Sequence, residues 1–117
     1  MPDELVSAVT HLTADFAGVN VKLLADAQFV SGLLVAAAGA SGMTSTGSAT
    51  VRQHHDGGLS VILPLDGCHM SMHTMPSRAL ALFDVLAIPP HDVQRALDVC
   101  TRRLAAKDVR TEIRARG

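Results

Sequence analysis

Residues 8 to 16 alternate between apolar and polar positions, with Val9, Leu12 and Phe16 set against Thr10, Thr13 and Asp15. That pattern predicts a half-buried strand, and Gly18 ends it. Asn20 is a plausible N-cap for the next segment. From Val21 to Ala40 the residues Leu23, Ala27, Val30, Leu34 and Ala37 recur at helical spacing, so one helix is expected there, stopped by Gly39 and Gly42. Thr44 to Gln53 is rich in Ser, Thr and Val and reads as a second strand. His54-His55-Asp56-Gly57-Gly58 reads as a turn, with Asp-Gly-Gly the strongest signal.

Leu59 to Leu65 is apolar enough for a central strand, although Pro64 limits its pairing. Asp66-Gly67 is a second turn. Cys68 to Thr74 and Arg78 to Ile88 read as extended, with Met75-Pro76 between them. Pro89-Pro90 ends that strand and opens a helix reaching Lys107, whose apolar stripe is Val93, Leu97, Cys100 and Leu104. Val109, Thr111 and Ile113 then alternate with Arg110, Glu112 and Arg114 in a last strand. The fold class expected is α+β. It is a two-layer sandwich in strand-helix-strand-strand-helix-strand order, with two helices on one face of an antiparallel sheet. The other face needs a cover, and a second copy of the chain is the simplest one.

The length of 117 residues fits a single domain, 1–117, whose surface-to-volume ratio would profit from dimerisation. Apolar residues are 48% and charged residues 18%, a globular composition. With three Phe, no Tyr and no Trp, the chain lacks the stacking surface of a nucleic-acid binder. The formal net charge is −1, and seven of ten Lys and Arg lie from Arg95 onward, interleaved with acids as on a solvated face. Asp3 and Glu4 stand where a secretory signal would be basic, and no apolar run is long enough for a membrane span. The expectation is a cytoplasmic protein with Cys68 and Cys100 reduced, no membrane and no nucleic acid. Cys100, on the helical stripe, is expected in the core.

Chemistry concentrates between Gly58 and Ile88. Cys68, His69 and His73 are metal-ligand types, but residues four apart on a strand are separated by roughly 13 Å. No further pair completes a set of four, so no metal is expected. Cys68 after a tight turn, with His73 nearby, also fits a nucleophile and its base, the imidazole drawing the thiol toward thiolate. A structural Cys and a hydrogen-bonded His fit the same residues.

Gly58-Leu59-Ser60, Cys68-His69-Met70-Ser71-Met72, His73-Thr74-Met75-Pro76 and Asp84-Val85-Leu86-Ala87-Ile88-Pro89 together resemble the bacterial S-adenosylmethionine decarboxylases. That family reads Glu-Ser-His, three residues, then His-Thr-Trp-Pro-Glu, followed by Asp-Val-Phe-Thr-Cys-Gly. The likeness extends to His11, Thr44-Ser45-Thr46 and the closing strand. It implies self-cleavage at the position of Gly67 and Cys68, leaving a pyruvoyl group derived from Cys68 as the only cofactor. That ketone serves decarboxylation as an electron sink, as pyridoxal phosphate would. It further implies catalytic roles for Cys68, Ser60 and His73, a small-molecule substrate bearing a primary amine, a place in polyamine biosynthesis and a homodimer.

Several positions depart from the family. Cys68 stands where the self-attacking Ser is expected, and Gly67 replaces the preceding Glu. At the substrate-binding positions Ser77 replaces the ribose-gripping Glu and Met75 the Trp, while Ile88 replaces the proton-donating Cys. Charged hydrogen bonds contribute about 1.5–3 kcal/mol and positioned acids about 10²–10⁴-fold. The resemblance therefore implies an altered substrate, a small amino acid rather than S-adenosylmethionine. The alternative is an unprocessed homologue in which Cys68 stays a thiol, serving binding, regulation or thiol chemistry.

Overall fold

The computed structural model describes residues 9–117. Ala8, the expected start of the first strand, lies outside them, as do Asp3 and Glu4. Six strands form one antiparallel sheet: β1 (Val9–Ala17), β2 (Thr50–Gln53), β3 (Leu59–Leu65), β4 (Cys68–Met75), β5 (Leu80–Ala87) and β6 (Asp108–Arg116). Their spatial order is β2-β3-β4-β5-β1-β6. The helices are α1 (Val21–Leu24), α2 (Ala27–Ala40) and α3 (Val93–Leu104), with a single 3₁₀ turn at Pro76–Arg78. The architecture is the α+β sandwich expected from the alternation of the strands.

Strand parity sorts the side chains. Leu12, Ala14 and Phe16 of β1, Leu59, Val61 and Leu63 of β3, Met70 and Met72 of β4, and Ala81, Phe83 and Val85 of β5 are buried. They meet Val30, Leu33, Leu34 and Ala37 of α2 and Val93, Ala96, Leu97, Cys100 and Leu104 of α3 in one core. Phe16 and Phe83 lie at its centre with ring centroids 6.5 Å apart in a tilted arrangement, a favoured geometry for aromatic pairs. Burial of Cys100 pushes its thiol up to about 12, so it is an inert part of this core. The alternate residues of the same strands, among them His11, Ser60, Ser71, His73 and Asp84, face away from the helices.

Several boundaries differ from the sequence expectation; the last helix stops at Leu104 rather than Lys107, the strand expected over Arg78–Ile88 runs Leu80–Ala87, and three differences have a clear local cause. The single helix over Val21–Ala40 is broken: α1 ends at Leu24, and Asp26 caps α2 by accepting from the Phe29 N–H at 3.0 Å. The strand expected over Thr44–Gln53 is confined to Thr50–Gln53, paired with Leu59–Ile62. Upstream the chain runs irregularly beside the end of β3, with Thr46 N–H donating to the Pro64 carbonyl and Asp66 N–H to that of Thr44. Pro64 has no N–H to donate, so a regular ladder cannot continue there. The last helix begins at Val93 rather than at Pro90, because Asp92 caps it through the Gln94 N–H.

Two motif residues prove to be structural. Thr74 is buried, donates its hydroxyl to the Leu24 carbonyl at 2.6 Å and accepts from the Leu59 N–H at 2.9 Å, tying β4 and β3 to α1. Gly58 has no room for a side chain, since a Cβ there would lie 2.6 Å from the Thr74 carbonyl oxygen. Thr74→Val keeps the shape but leaves both backbone groups without their partner. Each unsatisfied group should cost about 1–3 kcal/mol, read as a lower urea midpoint at unchanged m-value.

Candidate active site

The β3–β4 register sets Ser60 directly opposite His73. Both point to the face that the helices leave open, and Ser60 Oγ lies 2.8 Å from His73 Nδ1. On the other side of the same hydroxyl, His54 Nε2 lies 2.7 Å away. A serine with an imidazole in hydrogen-bond reach is the elementary unit of general acid–base chemistry.

Cys68 opens β4 at the other end of the hairpin, opposite Leu65. Gly67, immediately before it, adopts φ +78°, a left-handed conformation that glycine takes without strain. A Cβ on Gly67 would approach Ile88 Cδ1 to 3.3 Å, so Gly67 and the Ile88 side chain are neighbours. The Cys68 sulfur turns toward the Asp66 carbonyl, 3.6 Å away. The expected contact between Cys68 and Ser60 or His73 does not form within one chain. Cys68 and His73 are five positions apart along the strand, roughly 17 Å at the usual rise. Leu65, the partner of Cys68, is in the core, so Cys68 shares the helix-covered face while the Ser60–His73 pair lies on the other. The thiolate expected from an imidazole neighbour is corrected as well. Burial raises the Cys68 pKa, the Ile88 backbone lowers it and the Asp66 charge raises it; the net direction is upward.

The open face holds a second cluster. Asp84 Oδ2 takes hydrogen bonds from His11 Nε2 at 2.9 Å and His69 Nε2 at 3.2 Å, and the Ser71 hydroxyl donates to Oδ1. Burial alone would raise the Asp84 pKa; the hydrogen bonds from Ser71, His11 and His69, with the His69 charge, outweigh it and hold the carboxyl below its usual range. His11, Thr13, Ser71, His73, Leu82 and Asp84 line a cavity of about 320 Å³. No group of three or more His, Cys, Asp or Glu among the described residues is arranged to hold a metal ion. Sequence reading names His11, His69 and Asp84 separately and does not join them. The signal is present in β4, where His69, Ser71 and His73 alternate with buried Met70 and Met72, which places all three on one face. His54 is legible in the sequence only as part of a turn.

The remaining candidates lie apart from this cavity. Ser77 is exposed in the 3₁₀ turn, Met75 is half-buried at the end of β4, and Ile88 is exposed just past β5.

The chain matches the model of the S-adenosylmethionine decarboxylase family over residues 10–117. It is 36% identical over 74 residues to an S-adenosylmethionine decarboxylase proenzyme of Brevibacillus brevis. That stretch covers 63% of this chain and 55% of the Brevibacillus protein, little more than half its length. The fold superposes on the crystal structure of the adenosylmethionine decarboxylase from Aquifex aeolicus with a TM-score of 0.86 and 27% identity, over 95% of this chain and 92% of that one. The chain belongs to the S-adenosylmethionine decarboxylase family.

Asp84 supports a pH prediction. Its folded pKa is depressed below the unfolded value of about 3.9, so the unfolded state binds the proton first as pH falls. The stabilisation is therefore present above about pH 4 and lost as pH drops through the folded value. Asp84→Asn should flatten this acid-side loss of stability. At neutral pH it should cost about 1–3 kcal/mol, because His11, His69 and Ser71 all lose a charged acceptor and the amide NH2 replaces one acceptor oxygen with a donor. Thermal melts of both proteins from pH 3 to pH 7 read the difference.

Proposed function

We propose that this member of the S-adenosylmethionine decarboxylase family is a self-processing, pyruvoyl-dependent decarboxylase. In this reading it cleaves between Gly67 and Cys68 and acts on a small amine-bearing amino acid. The observation that carries the reading is the Ser60–His73 hydrogen bond at 2.8 Å. The pair stands on an open face, caps no helix and ties down no buried backbone group, so packing gives no reason for it. The turn supports the reading too: Gly67 offers an unhindered carbonyl immediately before Cys68, and the sulfur already faces the turn.

In the proposed cleavage the Cys68 sulfur attacks the Gly67 carbonyl carbon. A C–S bond replaces the C–N bond, and the freed amino group of Cys68 takes the thiol proton. A base then removes the Cys68 Cα proton, and that electron pair forms the Cα–Cβ double bond as the Cβ–S bond breaks. Gly67 leaves as a thiocarboxylate. The enamine left behind tautomerises, and water releases ammonia to give the ketone. His73, with Ser60 on Nδ1, is the base assigned to the Cα proton. The pyruvoyl group, once present, supplies the electron sink that decarboxylation of an amine substrate requires.

A homodimer belongs to this proposal. Within one chain Cys68 and the Ser60–His73 pair are far apart, and the pair's face has no helix over it. A second copy laid on that face would enclose the cavity and bring the pair of one protomer to the turn of the other. The substrate assignment rests on Ser77, which cannot chelate a ribose diol as a carboxylate does, and on Ile88, which has no proton to give beside Gly67.

The separation of Cys68 from the pair in a single chain also favours a second reading, an unprocessed homologue acting as a binding or regulatory domain. A thiol-chemistry role fits less well, since a raised pKa keeps Cys68 protonated at neutral pH.

Intact mass under denaturing conditions decides between them: two fragments meeting at Gly67 and Cys68 support cleavage, and one species near 12.3 kDa supports the second reading. Cys68→Ser should yield slow partial cleavage and Cys68→Ala none. Identical intact behaviour of both variants over days would leave only the unprocessed form. Neither wild type nor Cys68→Ser should release labelled carbon dioxide from carboxyl-labelled S-adenosylmethionine at a rate typical of enzymes.

A further inference from the structure

We infer that His54 is the outer end of a three-residue proton relay, His73–Ser60–His54, which carries a proton taken up at His73 through the Ser60 hydroxyl to solvent. The inference deepens the processing role proposed for Ser60 and His73.

The Ser60 hydroxyl is the centre of the relay. It lies 2.7 Å from His54 Nε2 and 2.8 Å from His73 Nδ1, both short enough for good hydrogen bonds. A serine hydroxyl has one proton and two lone pairs, so it donates to one imidazole and accepts from the other. With both rings neutral there are two states. In one, His73 Nδ1–H donates to Ser60 and Ser60 donates to His54 Nε2, which leaves His73 Nε2 as an unprotonated base. In the other, every bond in the chain is reversed.

Passage between the states moves one proton and leaves no charge behind. His73 takes a proton at Nε2 and gives its Nδ1 proton to Ser60 Oγ. Ser60 gives its own proton to His54 Nε2, and His54 releases its Nδ1 proton to water. His73 lines the cavity and is exposed on the face that the proposed second copy would cover, while His54 is exposed in the turn after β2, so with that face covered the relay runs from the cavity to the turn.

His54 is held in place rather than swinging free. Its N–H donates to the Gly58 carbonyl at 2.7 Å, and its carbonyl accepts from Gly57 N–H at 3.0 Å. Asp56 Oδ1 accepts from Gly58 N–H at 2.9 Å, closing the same turn. Two residues before it, Arg52 pairs directly with Ser60, so alternation puts His54 on the Ser60 side of the sheet. His54 would touch no reacting atom, which makes it a positioning and proton-carrying residue.

The test has two readouts. Nitrogen-15 shifts of the uncleaved Cys68→Ala protein, above the imidazole titration range, report which ring nitrogen carries hydrogen. The relay requires His54 Nε2 and His73 Nδ1 to be complementary, one protonated when the other is not, and Ser60→Ala to abolish that correlation. Independent tautomers would overturn the relay whether or not the chain ever cleaves. The second readout is the cleavage rate in the Cys68→Ser background. His54→Gln keeps a hydrogen-bond partner for Ser60 but cannot carry the proton, so it should slow cleavage on the order of tenfold at low buffer, the low side of what positioned acid–base groups contribute. Added imidazole should restore the rate. An unchanged rate, or a loss that imidazole does not restore, would overturn the relay. Absence of cleavage in every form would count against the processing proposal alone, and the tautomer measurement would then decide the relay.

Discussion

The two-residue turn at Asp66-Gly67 is the constraint on which the site depends. Gly67 at φ +78° lets β3 reverse directly into β4 and fixes Leu65 opposite Cys68. Because side chains alternate with period two, that one pairing settles every other one. Ser60 must then face His73, and both must lie on the face away from the helices. A slip of one residue would turn one of the two strands over, sending either Ser60 or His73 toward the core and the buried side chains of that strand outward. The register that assembles the Ser60–His73 pair also keeps Cys68 away from it. Assembly of the pair and separation from the thiol are consequences of the same turn.

Polar groups on the open face are organised around one carboxylate. Asp84 gathers His11 from β1 and His69 and Ser71 from β4 across neighbouring strands. Each of these three donors has a charged acceptor, so the cluster is satisfied while the face is uncovered. A satisfied cluster of this kind is also compatible with being covered, since burial of a fully bonded polar group costs much less than burial of an unpaired one. The open face therefore combines a polar-lined cavity with the chemistry proposed for it.

Much of the fold was legible because strands with one buried face write their alternation into the sequence. Val61 and Leu63 in β3, or Ala81, Phe83 and Val85 in β5, declare both the strand and its inner side. The break between α1 and α2 was not legible from periodicity, since apolar spacing runs through Ala25 and Asp26; the Asp26 cap was the better signal. The segment before β2 misled because Ser and Thr suit a strand, while the deciding factor was the missing N–H of Pro64 on its neighbour. Within the motif, residue type did not separate roles. Ser60 and His73 meet on the open face, whereas Gly58 and Thr74 hold the hairpin against α1. The Asp84 cluster joins residues 73 positions apart in sequence, and His54 reaches Ser60 only through the shape of its turn.

Cys68 illustrates how environment overrides residue type. A cysteine in place of a serine suggests a stronger nucleophile, yet nucleophilicity resides in the thiolate. Here burial and the Asp66 charge both oppose the thiolate, with only the Ile88 backbone in its favour. No imidazole of the same chain is near enough to change the balance. The thiol at rest is therefore less activated than the residue type implies. Whatever reactivity it acts through must come from a base brought to the turn from outside its own strand pair. In a single chain the thiol has neither the charge nor the partner that its residue type suggests, and any chemistry at Cys68 has the same need of a base from elsewhere.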